Sequence, residues 1–171
     1  MKTLYSILIA ISAFVVFAAV AVADPGTTWD KVITNNRFLV LNDFNGAAVF
    51  DRETGRVWEQ SPDTTARTWF NALVHCYQLE VGGRKGWRLP TIEELASLVD
   101  TSQPAPTLPA GHPFSNVQSS FYWSATTHAT STSNAWDVNF STGVVVVGAK
   151  AVDNGPFVWC VRAGQGIDGV Q

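Results

Sequence analysis

The side chains able to do chemistry in this chain are few and scattered: His75, His112 and His128, with two cysteines, Cys76 and Cys160. A hydrolytic or zinc centre needs such groups at set intervals. No Gly-x-Ser-x-Gly, phosphate-binding glycine loop or His-Glu-x-x-His run is present. His75 falls in a helical pattern and reads as a satisfied structural residue. His112 and His128 fall in loops, and a two-histidine metal site would require them to meet in space. Glu93 and Glu94 could form an acid/base pair, but directly after Pro90-Thr91 they read as the first turn of a capped helix. Asp137 and Asn139 share one strand face and could offer two oxygens, where Ca²⁺ takes six to eight. No catalytic residue, cofactor or metal is therefore expected.

The compartment follows from the first residues. Lys2 precedes an almost wholly apolar run from Leu4 to Val22, and Ala21-Val22-Ala23 is a small-x-small cleavage signature. A signal peptide over residues 1–23 is expected, with an uncleaved membrane anchor as the alternative because the run is long. Either way the rest lies outside the cytoplasm, secreted or periplasmic. Residues 24–171 suit one domain. The formal net charge of −3 argues against nucleic acid and against electrostatic docking on anionic lipids, so membrane contact is expected only through an uncleaved leader. Nothing in the sequence sets an oligomeric state. All seven tryptophans lie beyond the leader, so the core is aromatic-heavy.

An even cysteine count in an exported chain favours a disulfide; two buried free thiols are the alternative. The pair is 84 residues apart, which caps the chain-entropy stabilisation at about 4 to 5 kcal/mol. No Cys-x-x-Cys spacing suggests redox work.

These residues must be positioned by α+β elements. Asn36 to Trp58 reads as β structure with turns at Asn45-Gly46 and Thr54-Gly55. Trp69, Ala72, Leu73, Cys76 and Leu79 recur at helical spacing, with Thr68 or Asp63 as cap and Gly82-Gly83 as terminator. Thr91 and Glu94 form a capping box for a second helix whose apolar face is Ile92, Leu95, Ala96 and Val99. Thr101 to Ser120, with four prolines, is a long loop. Phe121-Tyr122-Trp123-Ser124 opens a strand. Trp136, Val138 and Phe140 alternate with Asp137, Asn139 and Ser141 as a half-buried strand, and Gly143 turns it into Val144–Val147. The last strand, Phe157 to Arg162, places Phe157, Trp159 and Val161 on one face and Val158 and Cys160 on the other.

Gly86-Trp87-Arg88-Leu89-Pro90-Thr91, followed by Glu94-Leu95 and Leu98, resembles the Trp-Arg-Leu-Pro-Thr block of the Lcl C-terminal domain family. Other blocks agree in order: Asp51 through Thr54-Gly55 to Trp58, Trp69 and Ala72 ahead of Cys76, Trp123-Ser124-Ala125-Thr126, Ala135-Trp136 through Phe140 to Gly143, and Cys160-Val161-Arg162. The resemblance implies a C-type-lectin-like fold, in the branch shared with formylglycine-generating enzymes. That means two helices packed on a small twisted, mostly antiparallel sheet, with a long loop region, adjacent termini and a helix-to-last-strand bridge matching Cys76 and Cys160. Trp87, Arg88, Leu89, Pro90, Thr91, Glu94, Trp123 and Trp136 are then structural. At Arg56-Val57-Trp58 the family usually has Leu-Met-Trp, a departure expected to touch only the surface.

A collagen-like bacterial adhesin carries such a domain and binds glycosaminoglycans, so the resemblance implies binding, by analogy. True C-type lectins hold Ca²⁺ with Glu-Pro-Asn or Gln-Pro-Asp and Trp-Asn-Asp. Here Gln103-Pro104-Ala105 and Trp136-Asp137-Val138 lack ligands. The formylglycine-generating relatives need a redox-active cysteine pair, which distant Cys76 and Cys160 do not suit. The expectation is an exported, non-enzymatic domain recognising a glycan or an extracellular protein through the loops from Thr101 to Asn134. Candidate ligand residues are His112, Asn116, Tyr122, His128, Asn134, Asp137 and Asn139. The rival is a structural envelope protein whose loops serve assembly. Arg84, Lys85 and Arg88 form a small basic cluster, from which Arg88 is expected to be withdrawn by Glu93 or Glu94.

Overall fold

The computed structural model describes residues 36–164, so the expected leader and its cleavage point lie outside the described residues. The first sheet is antiparallel in the order β1-β2-β3-β7, from β1 (Phe38–Val40), β2 (Ala48–Asp51), β3 (Arg56–Glu59) and β7 (Val161–Ala163). Asn45, left-handed at φ 54°, closes a 3-10 turn at Asn42–Phe44 between β1 and β2. Asp51 opens the β2–β3 turn by accepting from the Glu53 N–H and the Thr54 hydroxyl. The second sheet is a meander of β4 (Phe121–Thr127), β5 (Asn134–Asn139) and β6 (Val144–Ala149). The fold is thus α+β with two antiparallel sheets rather than the single one expected.

The expected last strand is also shorter. Regular pairing is confined to β7, while Phe157 bridges Tyr122 of the second sheet and Val158 bridges Asp63. Residues 157–160 cross from one sheet to the other, so they meet a different partner at each end. Their faces are as anticipated: Trp159 and Val161 enter one apolar cluster, Val158 and Cys160 the other.

Both helices form where local signals put them. α1 (Trp69–Gln78) is capped by the Thr68 hydroxyl accepting from the Asn71 N–H, and it buries Ala72 and Cys76. α2 (Ile92–Ala96) carries the full capping box and buries Leu95. Cys76 of α1 is bonded to Cys160, the residue before β7, with Cα atoms 5.4 Å apart. Around that bond lie Val57, Trp87, Leu89 and Trp123. The other cluster is aromatic: the Phe114 and Trp159 rings meet edge-on at 4.8 Å, and Tyr122 and Phe140 at 5.3 Å.

The long loop is pinned rather than free. Leu108 and Phe114 are buried, Thr107 donates twice to the Phe140 carbonyl, and Gln60 clasps the loop through Pro113 and Ser115. β4 and β5 run between the two clusters, with Ala135 in one and Val138 in the other. Asp137, expected on the open face of a half-buried strand, is therefore buried. Among the described residues no helix is long and apolar enough to cross a membrane.

Candidate functional site

The Trp-Arg-Leu-Pro-Thr segment is spent on scaffold. Arg88 grips Glu94 through two bonds of 2.7 Å, Arg56 adds a third at 2.6 Å, and the Thr91 N–H a fourth at 2.9 Å. Burial alone would raise the Glu94 carboxyl; the Arg88, Thr91 and Arg56 donors overcome it and hold the pKa at about 2. Arg88 is thus withdrawn by Glu94, as expected. The departure at Arg56-Val57 is not superficial, since Arg56 joins this ion cluster and Val57 is fully buried. Trp87 donates to the Arg84 carbonyl, Leu89 is buried, and the Pro90 carbonyl accepts from Ala125. Trp123 donates to the Arg67 carbonyl, and the Trp136 carbonyl accepts from Ser124.

The anticipated ligand residues do not converge. Tyr122 is wholly buried and its oxygen accepts from the Gln118 N–H; burial pushes the hydroxyl up to about 12. Asp137 is 2 % exposed and has no hydrogen-bond donor among the described residues, so burial pushes its carboxyl up to about 7. These two present nothing to a ligand, because each belongs to the packing between the sheets and their covering elements. Asn139 is occupied by Ser141 at one end of β5. Asn134 is at the other end, roughly 17 Å away at strand spacing. His128 packs on Trp136 there, at 5.2 Å. His112 stacks instead on Phe114, and Asn116 donates to Ser61.

One cluster of possible donors surrounds the disulfide. Donor atoms of Glu59, His75 and Cys160 lie within 4.8 Å of one another. The Cys160 sulfur is already bonded to Cys76, which leaves a carboxylate and an imidazole, too few for a structural zinc site. Glu59 accepts from the Cys160 N–H at 2.7 Å, and burial still pushes its carboxyl up to about 7. His75 is not the satisfied residue expected: its Nε2 is buried without a hydrogen bond, 3.9 Å from Asp63. Burial, then the nearby Arg67 charge, lowers its pKa against the opposing pull of Asp63.

An open cleft of about 380 Å³ lies at the end of α1, lined by Tyr77, Gln78, Lys85, Gly86 and Trp87. The Tyr77 side chain is 82 % exposed at its lip. Gly86, at φ 89°, has open space where a Cβ would stand, so its backbone faces the cleft unobstructed. Two guanidinium groups lie outside that lining, around the Phe44 ring that packs edge-on against Trp87. Arg84 lies 4.5 Å above the Phe44 ring, and Arg162 lies 5.5 Å from Phe44 and 5.9 Å from Trp87. Asp43 and Glu80 sit only loosely by Arg84 and Lys85, at 3.9 and 3.7 Å. Arg162 has no carboxylate partner among the described residues, and its Nη1 is buried without an acceptor. Burial and the like charge of Arg84 lower its pKa. The sequence pointed to Arg84 and Lys85; Arg162 replaces Arg88 as their third cation, and its only signal was its place in the Cys160-Val161-Arg162 block. The lining holds a phenol, an amide, an ammonium and an indole.

Residues 47–162 match the family model of the Lcl C-terminal domain. No curated protein matches the chain.

Proposed function

The chain belongs to the Lcl C-terminal domain family, and we propose that it is an exported, non-enzymatic binding domain of C-type-lectin-like fold that recognises an acidic glycan, or a similarly acidic protein surface, at the Trp87 cleft. The observation that carries this reading is the combination of an exposed Tyr77 ring and Lys85 in the cleft lining with Arg84 and Arg162, the latter lacking a carboxylate partner, beyond that lining around Phe44. An aromatic face stacks on the apolar side of a sugar ring, and guanidinium groups clasp carboxylates or sulfates. The lectin-like fold is supported by the first and last described strands sharing one sheet and by the bridge from α1 to the residue before β7. The same bond supports a location outside the cytoplasm. The rival reading, a structural envelope protein, has one observation of its own in the uncharged open edge of β6.

The test is binding of the oxidised chain to arrays of glycans and extracellular proteins, with and without Ca²⁺. Binding to acidic glycans, unchanged by chelation and weakened at least about tenfold by Tyr77→Ala and by Lys85→Glu, is the expected result. An array without hits, or variants that bind like the parent, overturns it.

A further inference from the structure

β6 reads Val-Val-Val-Val-Gly-Ala from Val144 to Ala149, and among the described residues it pairs only with β5. The Lys150 N–H donates to the Ser133 carbonyl, which fixes the alternation of the ladder. Residues 144, 146 and 148 turn their backbone groups toward β5, and Val145 and Val147 turn theirs outward. Those outward groups have no partner among the described residues. Val144 and Val145 are 53 % and 39 % exposed.

Edges of this kind are ordinarily blunted by lysine, proline, a bulge or short length. The other edges here are. β1 and β7 have three residues each, β7 is further bridged by Arg88 at Val161, and β4 is covered where Phe157 exchanges hydrogen bonds with Phe121 and Trp123. β6 has six residues in unbroken register and none of these devices. Its one charged neighbour, Lys150, is turned away to the Thr127 hydroxyl at 2.7 Å and the Trp69 ring at 3.9 Å.

We infer that the outer edge of β6 is an interface between two copies of this chain, formed by antiparallel pairing of β6 with β6 about a two-fold axis at Val146. That register sets Val145 opposite Val147 of the partner on both sides of the axis, closing four N–H···O bonds through the open groups. It sets Gly148 opposite Val144 and Lys150 opposite Thr142, so no charge faces a like charge although the chain is net negative. A second copy offers a strand that is already extended. A free peptide would first lose chain entropy, which is why the copy is the favoured occupant. The two three-stranded meanders then become one six-stranded sheet. One strand pair lies at the lower end of specific interface sizes, so the dimer is concentration-dependent. The cleft beside α1 takes no part, and the inference stands apart from the glycan reading.

Sedimentation velocity on the oxidised chain from micromolar to millimolar concentration tests it. A monomer–dimer equilibrium is expected, with the association constant lowered at least tenfold by Val145→Lys and by Val147→Pro, the latter removing an outward N–H without touching the β5 ladder. Val146→Cys should cross-link to its own copy, and Phe121→Cys, exposed on β4, should not. The inference is overturned by a monomer at every concentration, by dimers that survive Val145→Lys, or by equal cross-linking at both cysteines. A monomer that instead takes up a peptide of residues 143–150 overturns it in favour of strand capture.

Discussion

Glu94 stands at the head of α2 with Arg88, Arg56 and the Thr91 N–H all donating to it, whereas Asp137, in the middle strand of the second sheet, has no donor among the described residues. Both carboxyls are largely withdrawn from water, yet one is held at about 2 and the other pushed to about 7. The difference separates two halves of the molecule. Around the four-stranded sheet, Asp51 is paired with Arg37, Glu94 with its two arginines, and α1 is tied to the residue before β7 by the disulfide. The three-stranded sheet tolerates an unpaired acid and leaves its valine edge open. Glu59, on β3 of the four-stranded sheet, is bonded to the Cys160 N–H but still raised. Paired carboxylates are concentrated around the four-stranded sheet, although Trp58 Nε1 and Arg162 Nη1 are buried there without a partner, and the second sheet is held chiefly by apolar packing.

The strongest way to break this comparison is to cut the tie. Replacing Cys76 and Cys160 together by serine should cost up to about 4 kcal/mol in urea unfolding, through loop entropy in the unfolded chain. A loss below about 1 kcal/mol would mean that the four-stranded half does not depend on its closure.

Next is Glu94→Gln. The folded pKa lies below the ordinary value, so this carboxylate contributes stability above about pH 4.5 and loses it as pH falls toward 2. After discounting for the partly exposed Arg88, the variant should be about 2 kcal/mol less stable at pH 7. The gap to the parent should close below pH 3. A gap independent of pH would show that the ion cluster is not its source.

Asp137→Asn is the smaller effect and has the opposite sign. Here the folded pKa lies above the ordinary 3.8, so the cost of this acid appears as pH rises past 3.8 and is complete above about 7. The variant should gain on the order of 1 kcal/mol at pH 8 and nothing at pH 3.5. Glu59 titrates in the same window, so the difference between variant and parent is the quantity to measure. Destabilisation at pH 8 would place an undetected donor beside Asp137 and remove the contrast.

What was legible in the sequence was local. The capping box of α2, the Thr68 cap of α1 and the Gly143 turn each rest on residues within a few positions of one another, and all are present. The faces of Trp159 and Cys160 followed from strand alternation. Asp137 was misread because alternation reports one apolar face and says nothing about what covers the other. Beside Asp137 lie Trp123, its partner across the β4–β5 ladder, and Gly148 of β6, where an added Cβ would stand 2.7 Å from the carboxylate oxygen. The division into two sheets was invisible for a related reason: residues 157–160 change partners midway, and pairing partners are not encoded in the strand itself. Arg162 joined Arg84 only through folding, across the length of the bridge. The scattered histidines and amides of the loops had no spacing to unite them, and the fold does not unite them.

The bond between Cys76 and Cys160 also makes a covalent ring of everything between them, and the exposed stretch from Thr101 to Ala105 lies on that ring. A protease that nicks the stretch opens the ring without releasing a piece. The two fragments stay one particle, with α2, the meander and the cleft still attached, until a reductant arrives.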